Sequence, residues 1–343
     1  MKVSKSAGPD GIHPAVLKEL AAELSVPLLK IFQSCIDSGK IPDIWKIAHI
    51  TLVFKKGDKS DPSNYRPISL TCIVSKILEK IRRDSLMDHL RSNGLLSNKQ
   101  YGFLKGRSAK IQMIRVMDDW TKHLDQGKSV DVVYMDFMKA VDKVSHEHLL
   151  QKLGHLGVHQ QILDWIYDFL NERSQVVVYN NKMSSSQVVE SGVPQGTVIG
   201  PSSFLSFVND LPEAVQSSIY MFADDTKIYR GIDNNYDGLQ LQSDIDRSVT
   251  WSSTWRLLFN PDKCKVMTIG RSKTSSNYTM TLYDGSVVTL ERSTLEKDLG
   301  ILIDSELKVS DHMFAATNKA NGIMGVIRRT FTHLDLKCFS LLY

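Results

Sequence analysis

The sequence is poor in cysteine and has no long apolar run. Its four cysteines lie far apart, with neither a C-x-x-C pair nor a histidine at zinc-ligand spacing: Cys35, Cys72, Cys264 and Cys338. This excludes a zinc knuckle or a disulfide framework and predicts a reducing compartment. The first residues, MKVSKSAGPDGIHP, lack the apolar core of a signal peptide, and no apolar run approaches a membrane span. We therefore expect a soluble protein of the cytoplasm or nucleus, without membrane contact.

The sequence also lacks internal repeats, low-complexity tracts and Gly/Ser linkers. Of its 343 residues, 42% are hydrophobic and 23% are charged, which is ordinary for a globular protein. A chain of this length can form two or three subdomains with sizeable cores. We expect it to fold without disulfide bonds.

The net charge of +4 is unevenly distributed along the chain. Between Lys46 and Lys110 there are 14 Lys or Arg residues and five Asp or Glu residues, so the remainder of the chain is acidic overall. A basic region could hold a phosphate backbone while an acidic region gathers carboxylates around metal ions. The alternative is a set of solvated helix faces, and charge clustering alone leaves both open.

Helical patterns fill much of the first 125 residues. Two helices are predicted to start near Pro14 and near Pro27, and Gly39 is the predicted stop of the second. A later amphipathic helix has an apolar stripe and a basic outward face, formed respectively by Val74, Ile77, Leu78, Ile81 and by Lys76, Lys80, Arg82, Arg83. Another helix, around residues 109–125, carries a stripe that we interpret as core: Met113, Met117, Trp120 and Leu124.

Strand patterns are interspersed with further helices. Strands are predicted over 48–54, over VDVVYMDF (130–137), on both sides of a turn at Asn180 and Asn181, and in KCKVMTIG and LEKDLGILID. Helices are predicted around 146–155, 160–171, 201–210 and 239–255. This order lacks regular βαβ alternation and predicts an α+β fold with mostly antiparallel strands.

Three acids stand at the ends of apolar strands. Asp136 ends one strand, and Asp224 and Asp225 interrupt the apolar run IYMFADDTKIYR. Ionised neighbours repel, so buried carboxylates need a positive partner. If the strands are neighbours, one or two Mg²⁺ ions would supply that charge and support two-metal phosphoryl transfer. For an isolated Asp-Asp pair, a solvated turn is the competing interpretation.

Eight segments in order resemble the reverse transcriptases of non-LTR (LINE-type) retrotransposons. The three central ones are YMDFMKAVDKV, SGVPQGTVIGP and YMFADDTKIYR. The outer ones are SAGPDGIHP, FKKGDKSDPSNYRPISL, KQYGFLKGRS, FNPDKCKVMTIG and EKDLGILID. The resemblance covers about residues 5 to 310. It implies RNA-directed DNA polymerase activity with two Mg²⁺ ions, an RNA template, a DNA primer and dNTPs.

The resemblance also implies a right-hand polymerase fold, with an antiparallel palm sheet packed on helices, helical and β fingers, and a partial helical thumb. We expect an N-terminal extension and fingers over 1–128, a palm over 129–310, and the start of a truncated thumb over 311–343, with a basic cleft between fingers and palm. Because the chain stops at LDLKCFSLLY, the truncated thumb would hold primer and template weakly, and we expect low processivity. No endonuclease domain precedes the fingers, and we expect no integration by this chain on its own.

By the same resemblance, Asp136, Asp224 and Asp225 are the catalytic, metal-binding acids. Lys263 matches the lysine that protonates departing pyrophosphate, a general-acid role; without the family it would be a solvent-facing strand lysine.

The residues that the resemblance places near the incoming nucleotide are Lys55, Arg66, Val141, Gln195 and Gly196. Arg66 and Lys55 would neutralise phosphate charge, although a surface charge in a basic turn is the alternative. Gln195 and Gly196 match a loop beside the nascent base pair, where glycine allows close backbone approach; an ordinary turn is the alternative. Val141 replaces the usual aromatic residue that excludes a ribose 2′-hydroxyl, so we expect poorer discrimination against ribonucleotides.

Two other functions remain possible from the sequence. One is a catalytically silent, retroelement-derived nucleic-acid-binding protein. The other is a two-metal nuclease or phosphatase that uses the same acids, against which Arg66 and the VPQG loop argue. Salt-dependent binding without dNTP incorporation would indicate the first, and hydrolysis without dNTPs would indicate the second.

Overall fold

The computed structural model describes residues 3–4, 6–180, 182–271, 276–331, 335 and 340, so Cys338 lies outside the described residues. The described helices are α1 (Pro14–Glu19), α2 (Ala21–Ser38), α3 (Asp43–Lys46), α4 (Ile73–Ser92), α5 (Ala109–Asp125), α6 (His146–His155), α7 (Gln160–Leu170), α8 (Gly200–Val208), α9 (Asn235–Thr254) and α10 (Ser310–Thr330). The described strands are β1 (Ile47–Phe54), β2 (Tyr65–Leu70), β3 (Ser129–Met135), β4 (Arg173–Tyr179), β5 (Lys182–Met183), β6 (Gln187–Val189), β7 (Ser218–Phe222), β8 (Asp225–Ile232), β9 (Lys265–Ile269), β10 (Thr279–Thr281), β11 (Val287–Thr289), β12 (Glu291–Arg292), β13 (Leu295–Asp298) and β14 (Ile301–Asp304).

The N-terminal helices differ from the prediction in one boundary. The second helix begins at Ala21, and Pro27 lies inside it, so the predicted start near Pro27 is wrong. Proline is favoured in a first turn, but the preceding AAEL segment consists of strong helix formers, and these extend the helix toward the N-terminus. Because proline has no N–H, the carbonyl of Glu23 lacks its hydrogen-bond donor within the helix. The predicted stop is confirmed, because Gly39 caps α2 with a left-handed φ of 67°.

A central sheet combines strands from distant parts of the chain, in the order β12-β9-β3-β8-β7. The β3–β8, β3–β9 and β7–β8 pairs are antiparallel, as predicted, and β12 pairs with β9 in parallel. Alternate residues of β3 enter two cores. Val133 and Met135 face the larger one, while Val130 and Val132 face a second core that contains Trp120 of α5. Because both faces are covered, β3 is apolar almost throughout.

A second sheet holds the basic N-terminal hairpin. Its strands are β2, β1 and β4, and both β5 and β6 pair with β4. β1 pairs with β2 antiparallel and with β4 in parallel, with Ile47 opposite Ser174. Residues 173–189 therefore lie in the same sheet as residues 47–70. The predicted pairing across Asn180 is confirmed by the Tyr179–Lys182 pair; Asn181 lies outside the described residues.

Helix α4 is rotated relative to its predicted orientation. Ile81, expected in the apolar stripe, is 48% exposed, whereas Arg82, expected outside, is 7% exposed. Glu79 is fully buried on the same side. Burial lowers the pKa of the Arg82 guanidinium, as desolvation disfavours its charged form. The prediction that Arg82 faces outward is therefore wrong, because the helix turns its polar residues Glu79 and Arg82 inward.

Lys152 of α6 is buried among aromatic rings in the larger core. Its Nζ lies 3.9 Å from the ring centroid of Trp255, 4.4 Å from that of Trp251 and 4.9 Å from that of Phe207. It donates hydrogen bonds to the Phe207 carbonyl (2.8 Å) and to the Asp210 carboxylate (2.5 Å). Desolvation lowers the pKa of Lys152 to about 8, against the opposing effect of Asp210.

The buried lysine predicts a pH-dependent stability. An unfolded lysine keeps its proton up to about pH 10.4, so folding releases a proton between pH 8 and that value. The destabilising effect of the charge is present below pH 8 and is lost as the pH rises. Relative to Lys152→Met, the wild-type chain should gain free energy of unfolding from pH 8 to pH 10. Parallel urea titrations of both proteins measure this, and equal pH slopes would contradict it.

The C-terminal part carries two small hairpins and an exposed helix. β10 pairs with β11 and β13 pairs with β14, both antiparallel, which confirms the turn predicted in LEKDLGILID. Most side chains of α10 are exposed, and Ile327 is buried. The remaining residues of the predicted thumb are mostly outside the described range. Within the described residues, each helix is too short or too polar to cross a membrane.

Candidate active site

The paired acids lie at the tip of the β7–β8 hairpin. Phe222 is opposite Asp225, and Ala223 and Asp224 form the two-residue turn between them. Ala223 adopts a left-handed φ of 56°. The apolar residues on either side hold the strands in the sheet, so the two carboxylates project from its edge. Both side chains are accessible to solvent.

The third acid follows the neighbouring strand. Met135, the last residue of β3, pairs with Thr226, so Asp136 comes next to Asp225 at the same edge of the sheet. The carbonyl of Asp136 accepts a hydrogen bond of 2.7 Å from the Asn260 amide. Its carboxylate lies 3.5 Å from Nζ of Lys263. The structure thus brings together the three predicted acids and the predicted general acid.

The carboxylates influence one another electrostatically. Desolvation raises the pKa of Asp225 to about 6, with further increases from the charges of Asp224, Asp298 and Asp136. Desolvation also raises the pKa of Asp224, and the Asp136 charge adds to it. Arg66 opposes this by lowering the pKa of Asp224. The site therefore carries negative charge that the surrounding protein does not fully balance.

The donor chemistry fits a hard divalent cation. Carboxylate oxygens are preferred by Mg²⁺, which commonly takes one or two carboxylates together with waters and substrate phosphates. In the described residues no group of three or more Asp, Glu, His or Cys side chains is arranged so that it could hold a metal ion. The assignment of Mg²⁺ to Asp136, Asp224 and Asp225 therefore stays a prediction, in which substrate phosphates would be further ligands. A cation there would relieve the repulsion that raises the pKa values of the two hairpin acids.

The β1–β2 hairpin brings a cation toward the acids. Arg66 is opposite Val53 in the hairpin, its side chain is exposed, and its charge acts on Asp224. Lys55 follows β1, and its amide donates to the Asn64 carbonyl at 2.9 Å. Its side chain is exposed. The charge of Arg66 is thus coupled to Asp224, and the phosphate-binding role of Lys55 stays a prediction.

The loop with Gln195 and Gly196 is tied to this hairpin. The Ser69 amide donates to the Gln195 carbonyl at 2.8 Å, and Gln195 Nε2 donates to Asp142 at 3.0 Å. Gly196 has a φ of 104°, and a Cβ there would lie 2.7 Å from the Ser69 carbonyl oxygen. Gly196 therefore allows a close approach of the loop to β2, and its predicted approach to a nascent base pair stays a prediction. Val141 is half-buried, and its carbonyl accepts from the Val193 amide at 2.9 Å.

A groove of about 510 Å³ opens beside this loop, between it and the second sheet. Its lining includes Ser69, Asp142 and Gln195, together with Lys139 and Lys143. A separate, more apolar cavity of about 250 Å³ is lined by residues that include Met138 and Phe259. The polar groove includes Gln195, one of the predicted nucleotide-binding residues.

Glu79 is a site residue that sequence reasoning missed. Helix α8 begins without a side-chain cap of its own. Instead, Glu79 of α4 accepts hydrogen bonds from the amides of Val198 (2.6 Å) and Ile199 (3.3 Å). Burial raises the pKa of Glu79 and these two amides oppose the rise. In the sequence Glu79 stands among lysines on a helix, which is typical of a solvated acid, so no local signal identifies it.

Comparison with protein families gives a match over most of the chain. Residues 54–300 match the family model described as "Reverse transcriptase (RNA-dependent DNA polymerase)".

Two curated relatives come from Drosophila melanogaster. The chain is 28% identical over 340 residues to the RNA-directed DNA polymerase ascribed to transposon BS, covering 96% of this chain and 37% of that protein. It is 27% identical over 323 residues to the RNA-directed DNA polymerase from mobile element jockey, covering 91% and 35% respectively. The chain thus spans about a third of the length of these relatives.

Among solved structures, the chain is similar to apo telomerase from Candida tropicalis, truncated from its C-terminal domain. The TM-score is 0.50 at 12% identity, and the match covers 78% of this chain and 55% of that one. At this identity the likeness concerns the fold alone.

Proposed function

The chain belongs to the reverse transcriptase (RNA-dependent DNA polymerase) family, and from this premise we propose that it adds dNTPs to a primer 3′-hydroxyl on an RNA template. Its relatives include polymerases of non-LTR elements, and its α+β right-hand fold agrees with the telomerase likeness. The observation that supports the proposal most is the position of Asp136, Asp224 and Asp225 at the ends of neighbouring strands on one sheet edge, where Arg66 acts on Asp224 and Lys263 lies 3.5 Å from Asp136.

Each residue has a defined task in this proposal. The three aspartates would hold Mg²⁺, which when bound would activate the 3′-hydroxyl and stabilise the leaving oxygen. Arg66 neutralises phosphate charge. Gln195 and Gly196 shape the surface beside the nascent base pair. The exposed ammonium of Lys263 gives a proton to pyrophosphate as the bond between the α- and β-phosphates breaks.

Primer extension tests the proposal directly. Poly(rA)/oligo(dT), dTTP and Mg²⁺ are supplied to the wild-type chain and to Asp224→Asn. We expect Mg²⁺-dependent extension by the wild type and a loss of at least about 10³-fold in the variant, because a carboxylate that would hold Mg²⁺ is removed.

Three results would contradict the proposal. Equal extension by both proteins would show that Asp224 takes no part in the chemistry. Salt-dependent binding of the template without extension would indicate a silent nucleic-acid-binding protein. Hydrolysis of nucleic acid without dNTPs would indicate a nuclease.

The valine at position 141 predicts weak sugar discrimination. Val141→Phe should fill space next to the sugar and increase the preference for dTTP over UTP by about tenfold, the range of one well-placed apolar contact. The ratio of kcat/KM values for the two nucleotides measures it. Val287→Phe, at an exposed position on β11, serves as the size-matched control. Strong UTP rejection by the wild type, unchanged in Val141→Phe, would disprove the assignment.

We further propose the domain bounds 1–128, 129–310 and 311–343 for fingers, palm and the start of the thumb, with primer and template lying in the cleft between the first two. The described cysteines are free and buried, and a reducing compartment, cytoplasm or nucleus, is part of this proposal.

A further inference from the structure

The turn that carries Asp224 has a backbone conformation that its sequence does not favour. Ala223 has a φ of 56°, a left-handed value that alanine rarely adopts. No glycine or asparagine is available in the turn to make that conformation easy. Some part of the surrounding protein must therefore hold Ala223, because otherwise the turn and the adjacent carboxylate would relax together.

A segment from the region between α4 and α5 lies along the hairpin. The Tyr101 amide donates to the Met221 carbonyl at 2.8 Å, and the Met221 amide donates to the Lys99 carbonyl at 3.0 Å. These bonds form a parallel bridge between Gln100 and Met221. The segment thus extends the sheet edge next to the turn.

The side chain of Gln100 holds both polar backbone groups of Ala223. Its Oε1 accepts hydrogen bonds from the amides of Ala223 (2.9 Å) and Gly102 (2.8 Å), and its Nε2 donates to the Ala223 carbonyl (3.4 Å). The residue is 3% exposed. Two N–H donors at one end and a carbonyl at the other allow only one amide orientation, and a carboxylate could not satisfy all three partners.

Gly102 allows this close approach. A Cβ at Gly102 would lie 2.5 Å from the amide nitrogen of Ala223, so a larger residue would push the segment off the turn. Gln100 therefore holds Ala223 through hydrogen bonds, and Gly102 leaves the space that this contact needs. Ala223 is the residue directly before Asp224.

We propose that Gln100 is a positioning residue for the active site: it keeps Ala223 in the left-handed conformation and thereby fixes the direction of the Asp224 carboxylate. The inference rests on the proposed function for the role of Asp224. It assigns to Gln100 no contact with nucleotide or primer. Its loss should lower the affinity for the divalent cation and the rate of the chemical step, and should leave dNTP binding nearly unchanged.

The test compares Gln100→Leu with Tyr101→Phe. Leucine retains the size of the side chain and removes its hydrogen bonds. The Tyr101 variant perturbs the same segment by removing a hydroxyl that accepts from Arg115 at 3.0 Å, without touching Ala223. Gln100→Asn, which is polar but one methylene shorter, replaces the leucine variant if that protein does not fold.

Three readouts separate positioning from a merely structural role. In Gln100→Leu we expect the affinity for Mn²⁺, measured by electron paramagnetic resonance, to fall by about 10-fold or more. We expect kcat to fall by about the same factor, as for residues that orient metal ligands. The KM for dTTP should stay within about twofold. Hydrogen exchange should accelerate over residues 219–226 and remain unchanged over 130–135. Tyr101→Phe should match the wild type in all three.

A second substitution checks the cause. In the Gln100→Leu background, Ala223→Gly should restore most of the lost Mn²⁺ affinity, because glycine adopts a positive φ without help. Wild-type Mn²⁺ binding and exchange in Gln100→Leu would overturn the proposal, as would equal effects in Tyr101→Phe. If the wild type does not extend primers, the proposed function fails, whereas the exchange and Mn²⁺ measurements still decide the role of Gln100.

Discussion

Asp225→Asn should abolish primer extension and at the same time raise the melting temperature of the metal-free protein. The loss of activity should be at least about 10³-fold, since the variant removes a carboxylate that would hold Mg²⁺. The gain in stability follows from the repulsion among Asp136, Asp224 and Asp225, which Asp298 increases. Asparagine has nearly the same shape as aspartate and carries no charge, so it removes the repulsion and leaves the packing intact.

Thermal unfolding at pH 7.5 with and without Mg²⁺ measures the second effect. Mg²⁺ should raise the melting temperature of the wild type and have much less effect on Asp225→Asn. Asp125→Asn, which removes an exposed carboxylate at the end of α5, is the matched control and should change neither activity nor the response to Mg²⁺. A lower melting temperature for Asp225→Asn would mean that the acid stabilises the fold, contrary to the electrostatics of the site.

Gly196→Ala should lower kcat/KM for dNTPs by about 10–100-fold, the cost of moving a positioning loop by roughly 1 Å. A Cβ at Gly196 would lie 2.7 Å from the Ser69 carbonyl oxygen, and the φ of 104° is unfavourable for alanine. Backbone carbonyls of β2 cannot move without disturbing the hairpin that carries Arg66. The loop must therefore shift, and Gln195 shifts with it.

Gly285→Ala is the matched control for backbone strain. Gly285 also has a positive φ, 82°, but a Cβ there would have no neighbour within 4 Å. It should lose stability of about 1–3 kcal/mol from strain alone and retain full activity. Steady-state kinetics with dTTP and urea unfolding separate the two effects. Equal kcat/KM values for Gly196→Ala and the wild type would show that the close contact with β2 has no role in nucleotide use.

Much of this fold follows from local sequence signals. Helical periodicity predicted α4 to α7, because each of these helices buries one apolar stripe. Apolar runs rich in β-branched residues predicted the strands that end at Asp136 and surround Asp224, because these strands are buried in the sheet. The adjacency of the acids followed from their shared position at strand ends. The metal and nucleotide roles came from the family resemblance, and they stay predictions.

The remainder depends on contacts between distant residues. The inward turn of α4 is explained by Glu79, whose partners Val198 and Ile199 are more than a hundred residues away. The position of Gln100 against Ala223 is equally non-local. A sequence window around either residue shows only an ordinary polar side chain. Such residues satisfy backbone groups of another element, and the pairing appears only after the chain has folded.

The parallel pairing of β1 with β4 has a consequence for how the chain is made. Ile47 meets Ser174, so the sheet that carries Arg66 remains incomplete until the ribosome has synthesised β4, more than a hundred residues later. Contacts of such sequence separation form slowly. During synthesis one edge of β1 therefore stays unpaired until β4 is available. If the polypeptide is divided between residues 128 and 129, we expect the two fragments to be soluble only when they are produced together.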